Sequence, residues 1–168
     1  ATEVATAAYT LTTDNNGNAF LYGVFAEDAT VIVKQGNVVL KDYTFTAEKN
    51  PNGTEHNKSY ALDARPVIDG TLGGKAEATE DDITALVEQL KEYVDNGITT
   101  IIVPGSEPAM IDVGSLTITA IGEAIYRLSK EESYNGKIDL VLPDVTEIVD
   151  QEFYGARALN SINLPKVT

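Results

Sequence analysis

The chain has 168 residues, 43% of them hydrophobic, which is enough for a real core in one domain or two small ones. Its net charge of −14, from 26 acidic against 12 basic residues, excludes nucleic acid and anionic membranes as partners, because both require a basic footprint. Without cysteine there is no disulfide scaffold, thiolate metal site or thiol nucleophile, although export is not excluded.

Residues 1–68 read as a small β-rich, sandwich-like module. Tyr9 to Thr13 and Phe20 to Phe25 flank the Asp14–Asn18 cluster, whose side chains suit a hairpin loop. Thr30 to Val33 and Val38 to Leu40 flank Lys34-Gln35-Gly36-Asn37, a second hairpin signal. Tyr43, Phe45 and Tyr60 to Leu62 add short strands around the polar loop 48–59. The run Val39 to Phe45 resembles bacterial immunoglobulin-like modules. Residues 69–78 read as a linker, since Asp69-Gly70-Thr71-Leu72-Gly73-Gly74-Lys75 has the turn chemistry of a boundary. Its Gly-Gly-Lys is not a phosphate loop: Asp69 occupies the place of the leading glycine, and Ala76 that of the magnesium-binding hydroxyl.

The clearest helix follows. Ile83, Leu86, Val87, Leu90, Tyr93 and Val94 recur at helical spacing and fall on one face. Thr79 is the expected N-cap, Glu80, Asp81 and Asp82 suit the positive end of the dipole, and Asn96-Gly97 supplies the stop. A shorter helix is expected over Ile121 to Leu128, with 129–136 as a surface excursion.

The last third carries an internal repeat. Leu-Pro-Asp-Val-Thr at 142–146 returns as Leu-Pro-Lys-Val-Thr at 164–168, an offset of 22 residues, within the range of one leucine-rich repeat turn. Leu159, Ile162 and Leu164 give L-x-x-L-x-L, as do Ile98, Ile101 and Val103 upstream, with Leu140 and Leu142 between them. A second alignment sets Thr119, Ile121 and Tyr126 over Thr146, Ile148 and Phe153, each pair 27 apart. Ile101, Val103, Leu140, Leu142, Ile162 and Leu164 are therefore expected in one buried parallel sheet, with Tyr126 and Phe153 on the opposite wall. The helix would cap its first turn, because an open solenoid end exposes apolar surface and unpaired backbone. The final strand would be a vulnerable edge, covered by further repeats in the intact protein and, in this chain alone, by self-association or else poorly ordered.

Residues 98–168 resemble the BspA-like leucine-rich repeat family, whose turns read roughly as L-x-x-I-x-L-P-x-x-V-x-x-I-x-x-x-A-F. The chain departs from that pattern in having one residue between Pro and Val, in Ile125 and Glu152 where Ala precedes the aromatic, and in Ser129 and Ala156 where Cys is common. The resemblance implies a surface protein of gut or oral bacteria engaged in adhesion or host interaction.

Chemistry is sparse. The one histidine, His56, lies in the loop rich in Asn, Lys and Ser, and there is no Gly-x-Ser-x-Gly elbow. Glu80, Asp81 and Asp82, or Glu131 and Glu132, supply the residue type for glycoside hydrolysis, but helix capping and a solvated insertion account for them. Asp14, Asn16 and Asn18 alternate like a calcium loop, yet Ala19 and Phe25 stand where that loop needs Gly and Glu. No metal site or cofactor is assigned. What remains is the outward row of the repeat strands: Thr100, Ile102, Asp139, Val141, Ser161 and Asn163.

The expectation is thus an α+β chain in three parts: a β-rich module over 1–68, a linker over 69–78, and a helix-capped, short leucine-rich repeat solenoid over 79–168, cut in mid-repeat. The function expected is non-enzymatic recognition or adhesion at a bacterial cell surface, binding protein or glycan. The competing readings are a carbohydrate-active hydrolase using paired carboxylates and a structural spacer. No apolar run reaches the length of a membrane span, and the chain opens on Ala-Thr-Glu without a signal segment, as a piece of an exported protein would.

Overall fold

The computed structural model describes residues 10–15, 18–19, 29–45 and 65–168. It is a mixed α+β structure that divides into two compact units, one comprising Ala1–Thr30 with Thr44–Asn57 and the other Val31–Tyr43 with Lys58–Thr168. In the first unit the Asp14 and Asn18 ends of the expected loop are joined: Asp14 N–H donates to the Asn18 carbonyl at 2.8 Å, and Asn18 N–H to Asp14 Oδ1 at 2.9 Å. The expected strands over 20–25 and 60–62, the loop 48–59 and His56 lie outside the described residues.

Strands β1 (Ala29–Gln35) and β2 (Val38–Phe45) pair across the turn that Gly36 makes at φ +58°. β-branched residues on both sides favour extension, and Gly36 meets the left-handed requirement without a Cβ penalty. The turn sits on the end of helix α1 (Glu80–Asp95), where Gln35 Nε2 donates to the Asn96 carbonyl and Asn37 N–H to Asn96 Oδ1. Val38 is buried in the core of the second unit, so this hairpin belongs partly to that unit rather than to a module ending at 68.

Helix α1 starts where its sequence signals predict. Thr79 accepts from Asp82 N–H at 3.3 Å, while Thr79 N–H donates back to Asp82 Oδ2 at 2.8 Å, a complete capping box. Asn96 caps the other end, and Gly97 turns the chain away at φ +75°. Lys75, then Thr79, hold the Asp82 carboxyl down to about 2 from its ordinary 3.8. Its folded value is depressed, so its stabilising contribution is complete above 3.8 and is lost as pH falls toward 2. Thr79→Ala is expected to cost about 1 kcal/mol and to raise the Asp82 pKa while the Lys75 pair still holds it below normal; urea titration and carboxyl NMR would check both.

The centre of the second unit is a parallel sheet of β3 (Thr100–Ile102), β6 (Ile138–Val141) and β7 (Leu159–Asn163), in that order. Ile101 pairs with Leu140, and Leu140 with Ile162, the register expected from the repeat. Ile101, Val103, Leu140 and Leu142 are buried, but Ile162 and Leu164 only half so, because β7 ends the sheet and no rung lies beyond it among the described residues. The other edge is taken by the segment before Asp69 rather than by a helix. Ile68 N–H donates to the Ile102 carbonyl at 2.9 Å and Ile102 N–H to that of Pro66 at 3.0 Å, which sets Val67 beside Ile102.

Between β3 and β6 lies a hairpin with no counterpart in the sequence reading. Strands β4 (Met110–Val113) and β5 (Leu116–Thr119) pair antiparallel across Gly114, at φ +66°. Residues 69–78 are bonded to it: Met110 N–H donates to the Ala76 carbonyl at 3.0 Å and Ala78 N–H to that of Met110 at 2.6 Å. The Asp69 carboxylate accepts from Thr71 and Gly73 N–H and so organises the preceding turn. A segment expected as a linker is part of the folded unit.

Helix α2 (Ala120–Lys130), N-capped by Thr119, packs against α1 and fills the wall opposite the sheet with Ile121, Ala124, Ile125 and Leu128. These take the place expected for Tyr126 and Phe153, both of which are half-buried. Tyr126 instead packs over Gly155 and carries Lys130 Nζ 4.9 Å from its ring centre. Arg127 ties the helices together, bidentate to Glu80 at 2.6 and 3.0 Å and bonded to Glu123 at 2.6 Å.

Candidate functional site

The strand register brings all six expected face residues together in two rows. Thr100, Asp139 and Ser161 form one, and Ile102, Val141 and Asn163 the other. Side chains alternate along a strand, so both rows stand on the face away from Ile101 and Leu140. The second row is longer than the sequence indicated: Val67, 50% exposed, adjoins Ile102, so an aliphatic strip runs Val67, Ile102, Val141 before ending at Asn163. At about 4.7 to 4.9 Å per strand the three aliphatic positions span about 10 Å.

Acidic side chains fix the polar margin of this face. Asp139 accepts from Ser161 Oγ at 2.5 Å and Asn160 Nδ2 at 2.7 Å, and these bonds, the Ser161 one foremost, hold its carboxyl below the ordinary range. Beyond the strands, Asp144 accepts from Lys166 Nζ at 2.7 Å and Gly105 N–H at 3.2 Å, with the same effect on its pKa, led by Lys166. The Asp139–Ser161 and Asp144–Lys166 contacts each join residues 22 apart, the repeat offset. The face is therefore held in register by side chains as well as backbone.

The carboxylates weighed for catalysis are dispersed. Glu80 is bound by Arg127, Asp82 by Lys75 and Thr79, and Glu131 by Lys91, while Asp81 and Glu132 are exposed. Among the described residues no group of three or more metal-ligating side chains comes together.

A second site went unread in the sequence. Beyond the carboxyl ends of β3 and β6 lies a cavity of about 280 Å³, floored by the start of α2 and walled by the turn that includes Glu152 and Phe153. Glu152 is 4% exposed and accepts from both Thr119 N–H, at 3.1 Å, and Thr119 Oγ1. Burial pushes its carboxyl above the ordinary 4.5, against the pull of those two bonds. The Thr119 hydroxyl in turn accepts from Gly122 N–H at 3.1 Å, so Glu152 supports the N-terminus of α2 through its cap. The legible signal is that the alignment at offset 27 sets Glu152 over Ile125, a charged residue in a core position.

Among the described residues neither site brings together a nucleophile, a base and an orienting group. The chain matches no known protein-family model, and no characterised protein or solved structure matches it significantly.

Proposed function

We propose that this chain is a non-enzymatic recognition module of a bacterial cell surface, built as a short leucine-rich repeat solenoid of the BspA-like kind, which binds a protein or glycan through the outer face of its parallel sheet. The observation that carries the reading is the strip Val67, Ile102, Val141, flanked by the polar row of Thr100, Asp139 and Ser161, the last two hydrogen-bonded to each other. An apolar centre with a polar margin is the usual anatomy of a recognition patch. Rungs that follow chain order with a repeating 22-residue contact support the solenoid. Among the described residues the face holds no aromatic ring for stacking on a sugar, which favours a protein ligand over a glycan.

The test is a binding screen of the chain against extracellular-matrix proteins and a glycan array, repeated with Ile102→Glu and Val141→Glu. At least one ligand is expected whose binding falls about tenfold or more in both variants while the melting temperature is unchanged, because neither side chain is in the core. Ligands held equally by wild type and both variants would sink the assignment to this face. A parallel panel of glycosides and esters is expected to show no turnover; turnover abolished by Glu152→Gln would favour the hydrolase instead.

A further inference from the structure

We propose that the cavity beyond the carboxyl ends of β3 and β6 binds a small aliphatic ammonium group, carried by a free alkylamine or by the lysine side chain of a protein. Its walls are apolar, with Val103, Leu142, Ile148 and Phe153 facing the space. Among the described residues the ionisable ones that line it are Glu107, Glu147 and Glu152, with no lysine or arginine. An anion is therefore repelled, and a neutral apolar ligand would leave the buried Glu152 carboxylate without a compensating charge, while Glu107 and Glu147 stay in contact with solvent.

Glu152 gives the site its polarity. Its two bonds from Thr119 leave carboxylate lone pairs unfilled, and among the described residues no cation is bonded to it although it is more than nine-tenths buried. An ammonium donates up to three hydrogen bonds from one compact charge, and its alkyl stem lies against the apolar walls. A divalent metal fits less well, since no three ligating side chains converge among the described residues. The volume, about 280 Å³, falls just below the range usual for drug-sized ligands and suits a short alkyl chain. The position also matches a general preference, since ligands of open parallel sheets gather beyond the carboxyl ends of the strands. This site is separate from the outer face and does not depend on the reading of that face.

The test is an NMR titration of the isotope-labelled chain with three probes: n-butylammonium chloride, its neutral isostere n-butanol, and Nα-acetyl-lysine methylamide. Saturable shifts are expected at the amides of Thr119, Gly122 and Val149 to Phe153 for both cationic probes. Butanol should bind at least about tenfold more weakly, the loss expected for a charge-assisted bond. Tighter binding of the lysine derivative assigns the natural ligand to a protein side chain, and tighter binding of butylammonium to a free amine. Glu147→Gln is expected to weaken the cationic probes and leave butanol unchanged. Glu152→Gln should do the same, and the comparison with butanol on the wild-type chain stands even if that variant folds poorly. Equal binding of butanol and butylammonium, or unsaturable shifts scattered over the acidic surface, would overturn the proposal.

Discussion

Truncating Leu140 to alanine is expected to lower stability by about 2 to 5 kcal/mol, whereas Ile162→Ala should cost roughly half as much. Leu140 lies on the middle strand, is 1% exposed and is paired with Ile101 on one side and Ile162 on the other. Its removal leaves a cavity that two regular strands cannot easily collapse. Ile162 occupies the same row on the edge strand and is only half-buried, so less of its surface returns to water. Urea unfolding at matched protein concentration measures both, with an unchanged denaturant slope as the control. Equal losses would mean that β7 is covered in solution, and a concentration-dependent midpoint for the wild type would then identify a second copy as the cover.

That row also shows what the sequence could reveal. The pairing of Leu140 with Ile162 was readable because two pentapeptides that differ only at Asp144 and Lys166 fix a register, and that with Ile101 because a parallel rung must repeat its inward residues. Thr79 and Asn96-Gly97 were readable because capping is local chemistry. The β4–β5 hairpin was missed although Met110 to Thr119 alternates around Gly114-Ser115, since the repeat reading placed strands at Ile101 and Leu140 and none between them. The rung at Val67 was missed for a different reason. Its partner Ile102 lies 35 residues away, and the backbone bonds that join them leave no mark in the pattern of side chains. The outer face was therefore foreseen in six of its positions but without the exposed aliphatic that extends its strip. Glu152 was visible as a departure from the repeat, but its burial depends on how the 142–153 turn folds against α2, which no local pattern specifies.

Gly122→Ala should destabilise the chain by about 1 to 3 kcal/mol, although alanine is the better helix former by about 1 kcal/mol. Gly122 lies in the first turn of α2, and a Cβ there would strike Glu152 Oε1 and stand 2.9 Å from the Glu152 carbonyl oxygen. The side chain could swing aside only by leaving its bonds to Thr119, and the carbonyl cannot move without the backbone of the 142–153 turn. Placing Gly122→Ala in a Glu152→Ala background removes the first clash and leaves the second, so the two substitutions should couple by more than about 0.5 kcal/mol rather than add. Additive losses would show that Glu152 does not rest on this turn of the helix. Proton linkage gives an independent check. The folded Glu152 carboxyl titrates above its ordinary 4.5, so the folded state retains a proton that the unfolded chain has released. Its contribution must therefore decline as pH rises from 4.5 through the folded value, opposite in sign to that of Asp82. The difference in stability between wild type and Glu152→Gln, followed from pH 4 upward, should fall across that window, and a flat difference would mean that the carboxylate is solvated and the cavity wall open.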